Sequence, residues 1–220
     1  MVADIIADRY VTARDSCLIL KPLILHFMLM ASRADKPLVV AILVHSFREN
    51  PSVHFIAGQR KPREKQLKAL MGYSFDVCYE SGRIYLNEEK TACALVLFPE
   101  RKRTTLRSVG RDIRLILEVI GLSNVPKVLK RNALIKRRYP SAPFYYLWFI
   151  GVLPEAQRKK QGTLLLKELI KESDQVNRPL LLETSVQQNI AWYEKNGFYV
   201  YHELRYYYEL YFLRRDAQNS

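Results

Sequence analysis

A succession of strand, helix and strand in the C-terminal third constrains the fold of this 220-residue chain most strongly. Residues 144–152 form a continuous apolar and aromatic run between Pro143 and Pro154, which is typical of a strand buried on both faces. Residues 162–176 have the apolar periodicity of an amphipathic helix, and residues 180–184 form a second apolar run. Two such strands joined by a helix pair in parallel through a right-handed crossover. The sequence therefore predicts a mixed sheet covered by helices on both faces.

The remaining elements follow from hydrophobic periodicity and from turn residues. Helices are predicted over residues 32–47, 62–79, 104–120, 125–138 and 189–195, and strands over residues 83–87, 91–98, 199–204 and 206–212. In the third of these helices the apolar residues share one side; they are Leu106, Val109, Ile113, Ile116, Leu117 and Ile120. The order of elements fits an α/β or α+β domain.

Positive charge is concentrated in one segment of the chain. The formal net charge is +13, and residues 101–139 carry twelve lysines or arginines against Asp112 and Glu118 alone. Such a block suits an anionic partner, which could be a phosphorylated cofactor, nucleic acid or an acidic membrane surface. A solvated helix face is the alternative interpretation.

The cysteines and the N-terminal residues suggest a reducing, cytoplasmic location. Cys17, Cys78 and Cys93 have no short spacing, which argues against a disulfide framework or a zinc site. Residues 1–30 lack the features of a secretion signal, and their apolar run is too short and interrupted to span a bilayer. We expect an N-terminal extension over residues 1–30, either a non-native leader or an arm, then one domain over residues 31–215 and a tail over residues 216–220.

Two motifs carry the functional signal. The first, VLPEAQRKKQG at residues 152–162, joins a strand end to a basic turn and the start of a helix. The second, NIAWYEKNGF at residues 189–198, is a short helix with a tyrosine, closed by Gly-Phe. In this order and spacing the pair resembles the GNAT superfamily of N-acetyltransferases, which transfer an acyl group from acyl-coenzyme A to an amine. The resemblance is good over residues 144–210, is limited to element order over residues 32–98, and leaves residues 101–139 as an insertion.

The resemblance implies a GNAT-like sheet, mostly antiparallel, in which a central parallel pair of strands splays apart to admit acetyl-CoA. The turn at residues 157–163 would hold the phosphates, the end of the first strand would pair with the pantetheine arm, and the Val152 amide would polarise the thioester carbonyl. Lys160 replaces the first glycine of the family pattern, and we expect it to keep an ordinary helical-entry geometry. The implied cofactor contacts are Ile150, Gly151, Val152, Gln157, Arg158, Lys159, Lys160, Gln161, Gly162, Thr163 and Asn189.

Two residues are implied in catalysis. Tyr193 stands four residues before Gly197, where the family places the acid that protonates the leaving thiolate; a packing aromatic is the alternative. Glu183 is the leading candidate for the general base, with His202 and a water chain as alternatives. Glu183 could equally be paired with an arginine for structure.

The function expected from the resemblance is N-acetylation of a primary amine by direct attack, without a metal. The high positive charge favours an acidic or neutral acceptor over a polyamine. Two other functions remain open: an acyl-CoA sensor without catalysis, and a nucleic-acid or anion-binding domain that uses the basic helices of residues 101–139. Either a monomer or a homodimer is compatible with the sequence.

Overall fold

The computed structural model describes residues 28–58 and 63–218, so most of the predicted N-terminal extension and the expected start of the second helix at Pro62 lie outside the described residues. Within them, seven strands form one sheet in the order β1-β2-β3-β4-β5-β7-β6. The strands are β1 (Met28–Met30), β2 (Gly82–Asn87), β3 (Ala92–Leu97), β4 (Tyr145–Val152), β5 (Leu180–Thr184), β6 (Tyr199–Arg205) and β7 (Glu209–Arg215). The mixed, mostly antiparallel sheet predicted from the sequence is confirmed.

Helices cover both faces of the sheet. They are α1 (Lys36–Phe47), α2 (Pro51–Ile56), α3 (Glu64–Ser81), α4 (Leu106–Leu115), α5 (Val125–Lys136), α6 (Gln161–Gln175) and α7 (Ile190–Glu194). Residues of α1 and α3, among them Ile42 and Phe75, form a core with β2 and β3. On the other face Leu165 and Leu169 of α6 pack against β4, β5 and β7. Burial of these apolar side chains is the main stabilising contribution to such a layered fold.

The centre of the sheet opens between two parallel strands. Strands β4 and β5 pair only at Tyr145–Leu180 and at Tyr146–Leu181, and then separate. The predicted splayed pair is therefore confirmed. Strand β4 also carries a register shift against β3, because Leu95 pairs with Phe149 whereas Val96 pairs with Leu147, which leaves Trp148 as an extra residue. Such a bulge bends its strand.

Burial along β4 differs from the sequence prediction. The strand was expected to be buried on both faces, but fully buried and half-buried residues alternate from Tyr145 to Val152. Tyr146 and Trp148 are among the half-buried ones. The physical reason is that β4 borders a cavity where β5 has moved away, so part of the strand contacts open space instead of protein.

Helix α4 turns its apolar side outward. Of the predicted apolar residues, Leu106, Val109, Ile113 and Leu117 are exposed, whereas Ile116 is half-buried and Ile120 is buried. The side that faces the body is held by polar contacts: Tyr73 donates a hydrogen bond to Asp112 at 2.7 Å, and Arg111 lies 2.8 Å from Glu80. The helix continues as a π-helical turn over Ile116–Ile120 and ends at Gly121, whose φ of 73° favours glycine.

The last hairpin has a longer turn than the sequence predicts. Residues 206–208 were expected to start the final strand, but that strand begins at Glu209 and extends to Arg215. The three tyrosines of the turn pack around Phe55 of α2, with the ring of Tyr207 centred 5.1 Å away. Lys127 of α5 lies over the Tyr207 ring at 5.5 Å. Aromatic packing, which periodicity does not reveal, therefore keeps these residues in the turn.

Candidate active site

One cavity of about 1080 Å³ occupies the opening between β4 and β5. All of the predicted site residues except Lys159 line it. The cavity is therefore a single place where the strand end, the basic turn, Asn189, Tyr193 and Glu183 come together. A concave site of this size, with apolar walls and a few polar groups, is typical of small-molecule binding.

The basic turn presents backbone donors at the start of α6. The first helical hydrogen bond of α6 runs from the Leu164 amide to the Lys160 carbonyl at 2.9 Å. The amides of Gln161, Gly162 and Thr163 precede it, so they have no acceptor within the helix. Together with the positive end of the helix dipole, such amides favour an anion. The turn therefore fits a phosphate group.

Lys160 adopts a left-handed backbone conformation that favours glycine. Its φ of 61° and ψ of 8° are left-handed, and Arg158 also has a positive φ of 62°. The expected helical-entry geometry at Lys160 is therefore wrong. A lysine in this region costs on the order of 1 kcal/mol. The same geometry keeps both side chains exposed at the rim of the cavity.

Gly162 allows α6 to begin directly against the end of β4. A Cβ atom at this position would lie 3.1 Å from Cγ2 of Val152, which is tighter than an ordinary contact. On the other side of the turn, Nε1 of Trp192 donates a hydrogen bond to Oγ1 of Thr163 at 3.0 Å. This bond ties the tyrosine-bearing helix α7 to α6.

A serine that the sequence analysis missed caps the end of β4. The Val152 amide donates to Oγ of Ser46 at 3.1 Å, and that hydroxyl donates to the Ile42 carbonyl at 2.9 Å. Gly151 makes room for the contact, because a Cβ there would lie 2.7 Å from Ser46 Oγ. The amide expected to polarise a thioester thus has a partner within the protein. No sequence motif links Ser46 to Val152 of β4, since these two residues are 106 positions apart.

Tyr193 is buried at the wall of the cavity. Its side chain is 6% exposed and packs against Trp192, with the ring centroids 4.6 Å apart, and against Phe198. Burial raises the pKa of Tyr193 above that of an ordinary tyrosine. The hydroxyl therefore stays protonated at neutral pH and is available as a proton donor.

Glu183 faces the cavity from β5, in a cluster of tyrosines. The Tyr146 hydroxyl donates a hydrogen bond to Oε2 of Glu183, and the Tyr139 ring lies 5.5 Å from that of Tyr146. Burial raises the pKa of Glu183, although the Tyr146 hydrogen bond and the charge of Arg131 act in the opposite direction. A carboxylate with a raised pKa is a stronger base than an exposed one.

Comparison with known proteins agrees with this arrangement. A family model described as an acetyltransferase (GNAT) domain matches residues 128–200, which include β4, the basic turn, α6 and α7. The segment that carries the motifs and much of the cavity wall is therefore similar to a GNAT acetyltransferase domain.

Solved structures share the GNAT fold over nearly the whole domain. The chain is similar to a structure from Corynebacterium glutamicum described as a histone acetyltransferase and related acetyltransferase, with 21% identity, a TM-score of 0.64 and coverage of 88% of this chain and 97% of that one. It is also similar to arylalkylamine N-acetyltransferase 2 of Aedes aegypti, at 10% identity, a TM-score of 0.59 and coverage of 87% and 98%. A ribosomal-protein alanine N-acetyltransferase of Escherichia coli matches at 17% identity, a TM-score of 0.51 and coverage of 88% and 94%.

The insertion over residues 101–139 forms part of the cavity wall. Val128, Arg131 and Ile135 of α5 line it. The Arg131 guanidinium donates to Oγ of Ser52 at 2.7 Å and also bonds the Tyr208 hydroxyl. Arg131, Tyr139 and Tyr146 were missed as site residues, because nothing in their spacing connects them to Glu183.

His202, the alternative base, lies on β6 outside the residues that line the cavity. Its ring packs 5.4 Å from that of Phe212, and burial lowers its pKa. Its Nε2 atom is buried and has no hydrogen-bond partner among the described residues. The geometry therefore favours Glu183 over His202.

Within residues 28–58 and 63–218, no group of three or more His, Cys, Asp or Glu side chains is arranged to hold a metal ion. Cys78 and Cys93 are buried and free in the core. Over the same described residues, no helix combines the length and the apolar character that crossing a membrane requires.

Proposed function

We propose that this GNAT protein transfers the acetyl group of acetyl-CoA to a primary amine by direct attack. The observation that carries the proposal is the convergence of four features on one cavity: a donor-rich turn, an open strand edge, a buried tyrosine and a half-buried carboxylate. Their spacing in the sequence resembles the family pattern apart from Lys160, and their shared cavity supports a chemical role for each.

The chain binds and orients the donor through backbone groups. The amides at the start of α6 hold phosphate, and Arg158 and Lys160 add positive charge at the rim. Leu153 donates its amide to the carbonyl of Thr91, the residue before β3, so by strand alternation the backbones of Ile150 and Val152 face the open side. The Ile150 groups are positioned to pair with an amide-bearing arm, and the Val152 amide would do so by exchanging Ser46 for the ligand. Acetyl-CoA, when bound, supplies the acyl group as a thioester.

Glu183 and Tyr193 move the protons. Glu183 accepts a proton from the attacking amine, because burial raises its pKa toward the range of a useful base. Tyr193 donates its hydroxyl proton to the departing sulfur and is kept protonated by burial. The acceptor enters between β5 and the insertion, where Lys102, Arg131 and Lys136 line the wall. These cations favour a neutral or acidic amine over a polycation.

Calorimetric titration of the full chain with acetyl-CoA tests the proposal most directly. Saturable binding, followed by release of coenzyme A in the presence of an amine panel, is the expected result. Binding without release for any amine would point to a sensor. Failure to bind acetyl-CoA, together with salt-dependent binding to nucleic acid, would favour the basic helices as the functional surface instead.

Charge reversal in the basic turn is expected to weaken acetyl-CoA binding. The double variant Arg158→Glu, Lys160→Glu should raise Kd by roughly tenfold or more, with a larger effect at low salt, because it places two carboxylates beside the phosphate amides. Calorimetry at two ionic strengths measures this. The variant Lys167→Glu, Lys171→Glu is the matched control, since it changes the same charge on exposed positions of α6. Equal effects of the two variants would contradict the placement of the phosphates.

Removal of the serine cap should strengthen binding while weakening the fold. Ser46→Ala leaves the Val152 amide without its partner at 3.1 Å, so we expect the free energy of unfolding to fall by about 1 kcal/mol. The acyl carbonyl of acetyl-CoA then no longer competes with the Ser46 hydroxyl for the Val152 amide, so Kd for acetyl-CoA should fall by up to about fivefold. Melting temperature and calorimetry measure the two effects.

The control for the serine cap is Ser74→Ala in α3, whose hydroxyl bonds only the Leu70 carbonyl at 3.0 Å within the described residues. It should lower stability without any change in Kd. A stability loss in Ser46→Ala with an unchanged Kd would show that the ligand does not use the Val152 amide.

A further inference from the structure

The outer side of the insertion carries an aliphatic stripe that no part of the described chain covers. Leu106 is 94% exposed, Ile113 is 52% exposed and Leu117 is 67% exposed. They recur on one side of α4 and its π-helical extension, and Leu122, just past the helix end at Gly121, is 73% exposed as well. From Leu106 to Leu117 the stripe is roughly 16 Å long at the rise of a helix. Single exposed apolar residues are ordinary, but a continuous row of this length marks an interaction surface.

The orientation of α4 is fixed by its other side. Asp112 accepts the hydrogen bond of Tyr73, and Arg111 pairs with Glu80. Ser108 is buried toward the body as well. Rotation of the helix to bury the stripe would break these contacts. The apolar side is therefore held outward by the polar side.

Arginines flank the stripe. Arg107 and Arg114 are both largely exposed and lie about 80–100° around the helix from Leu106, and each has one acidic neighbour, Glu80 at 3.8 Å and Glu118 at 2.9 Å. The whole insertion carries a large excess of positive charge, since Asp112 and Glu118 are its only acidic residues. Asp112 is turned inward to Tyr73, and Glu118 is paired with Arg114 at 2.9 Å. The exposed surface thus combines aliphatic side chains with cations.

We infer that this stripe binds an anionic lipid surface, with α4 lying in the headgroup region. Leu and Ile side chains enter the boundary of the acyl chains, while the flanking arginines contact lipid phosphates. A second copy of the chain would bring two strongly positive surfaces together. A nucleic-acid backbone would satisfy the arginines but leave the aliphatic stripe in water. An anionic membrane complements both features.

The test is co-sedimentation of the full chain with large unilamellar vesicles. Vesicles of phosphatidylcholine with about one third phosphatidylglycerol should carry the protein down, whereas pure phosphatidylcholine should bind far less, and added salt should weaken the binding. The variant Leu106→Gln, Ile113→Gln, Leu117→Gln keeps every charge and should lower partitioning by roughly tenfold or more. Its exposed positions predict an unchanged melting temperature.

The matched control replaces apolar residues that are exposed elsewhere. Val176→Gln, Tyr199→Gln should sediment like the wild type. Three results would overturn the inference. The first is a wild-type protein that does not co-sediment with the anionic vesicles. The second is a triple variant that co-sediments as well as the wild type. The third is absent vesicle binding together with a dimer, seen by light scattering, that the triple variant abolishes. The second would indicate charge attraction alone, as for nucleic acid, and the third would indicate a second copy.

Discussion

Tyr193→Phe is expected to lower turnover by roughly 100- to 10,000-fold while leaving acetyl-CoA affinity nearly unchanged. The substitution removes one hydroxyl and keeps the ring, so the packing against Trp192 and Phe198 survives. A proton delivered to sulfur only as the thioester breaks affects the transition state more than the bound ground state. Coenzyme A release with the best amine of a panel measures turnover, and calorimetry measures affinity.

The control for Tyr193 is Tyr199→Phe, which removes an exposed hydroxyl bonded to Asp216 at 2.9 Å. It should retain wild-type turnover. Wild-type turnover in Tyr193→Phe as well would show that Tyr193 is a packing residue and that water or another group protonates the thiolate. A loss of acetyl-CoA affinity equal to the loss of turnover would place Tyr193 in binding.

Glu183→Gln is expected to reduce kcat/KM by roughly 100-fold or more and to change its pH dependence. In the wild type, burial raises the pKa of Glu183, so the base form appears only as pH rises through that raised value. The rate should therefore increase with pH over this range. In the glutamine variant this rise of kcat/KM with pH should vanish, because an amide does not titrate. The measurement is a pH profile of kcat/KM for both forms.

A second tyrosine-bound carboxylate provides the control. Glu172 accepts hydrogen bonds from Tyr85 at 2.7 Å and from Tyr145 at 2.9 Å, and it pairs with Arg83. Glu172→Gln should therefore disturb packing to a similar extent while preserving the rise of kcat/KM with pH. If Glu183→Gln also keeps the wild-type kcat/KM and its rise with pH, then Glu183 is structural and the amine loses its proton to water or to another group.

Much of the fold was predictable because local patterns determine it. The apolar runs at residues 144–152 and 180–184, with an amphipathic helix between them, specify the parallel pair. The hairpin of β2 and β3 was predicted within one or two residues of its observed bounds. The positions of the candidate cofactor contacts followed from the family motifs, and all but Lys159 line one cavity. Their roles remain predictions until a ligand is measured.

The features that the sequence did not predict depend on contacts between distant segments. Ser46 reaches Val152 across more than a hundred residues, and Tyr146 reaches Glu183 across 37 residues. Helix α4 was recognised as amphipathic, but periodicity alone does not tell which side faces the body. There, the polar contacts of Asp112 and Arg111 decided the orientation.

The short pairing between β4 and β5 has a consequence for cooperativity. Only two residue pairs join the sheet halves β1–β4 and β5–β7 directly, so the rest of the connection relies on α6 and on side-chain packing. A ligand arm that bonds the open edge of β4 would occupy the place of a missing strand. Its binding would then tie two partly independent folding units together, and ligand occupancy would raise the stability of the whole domain through linkage.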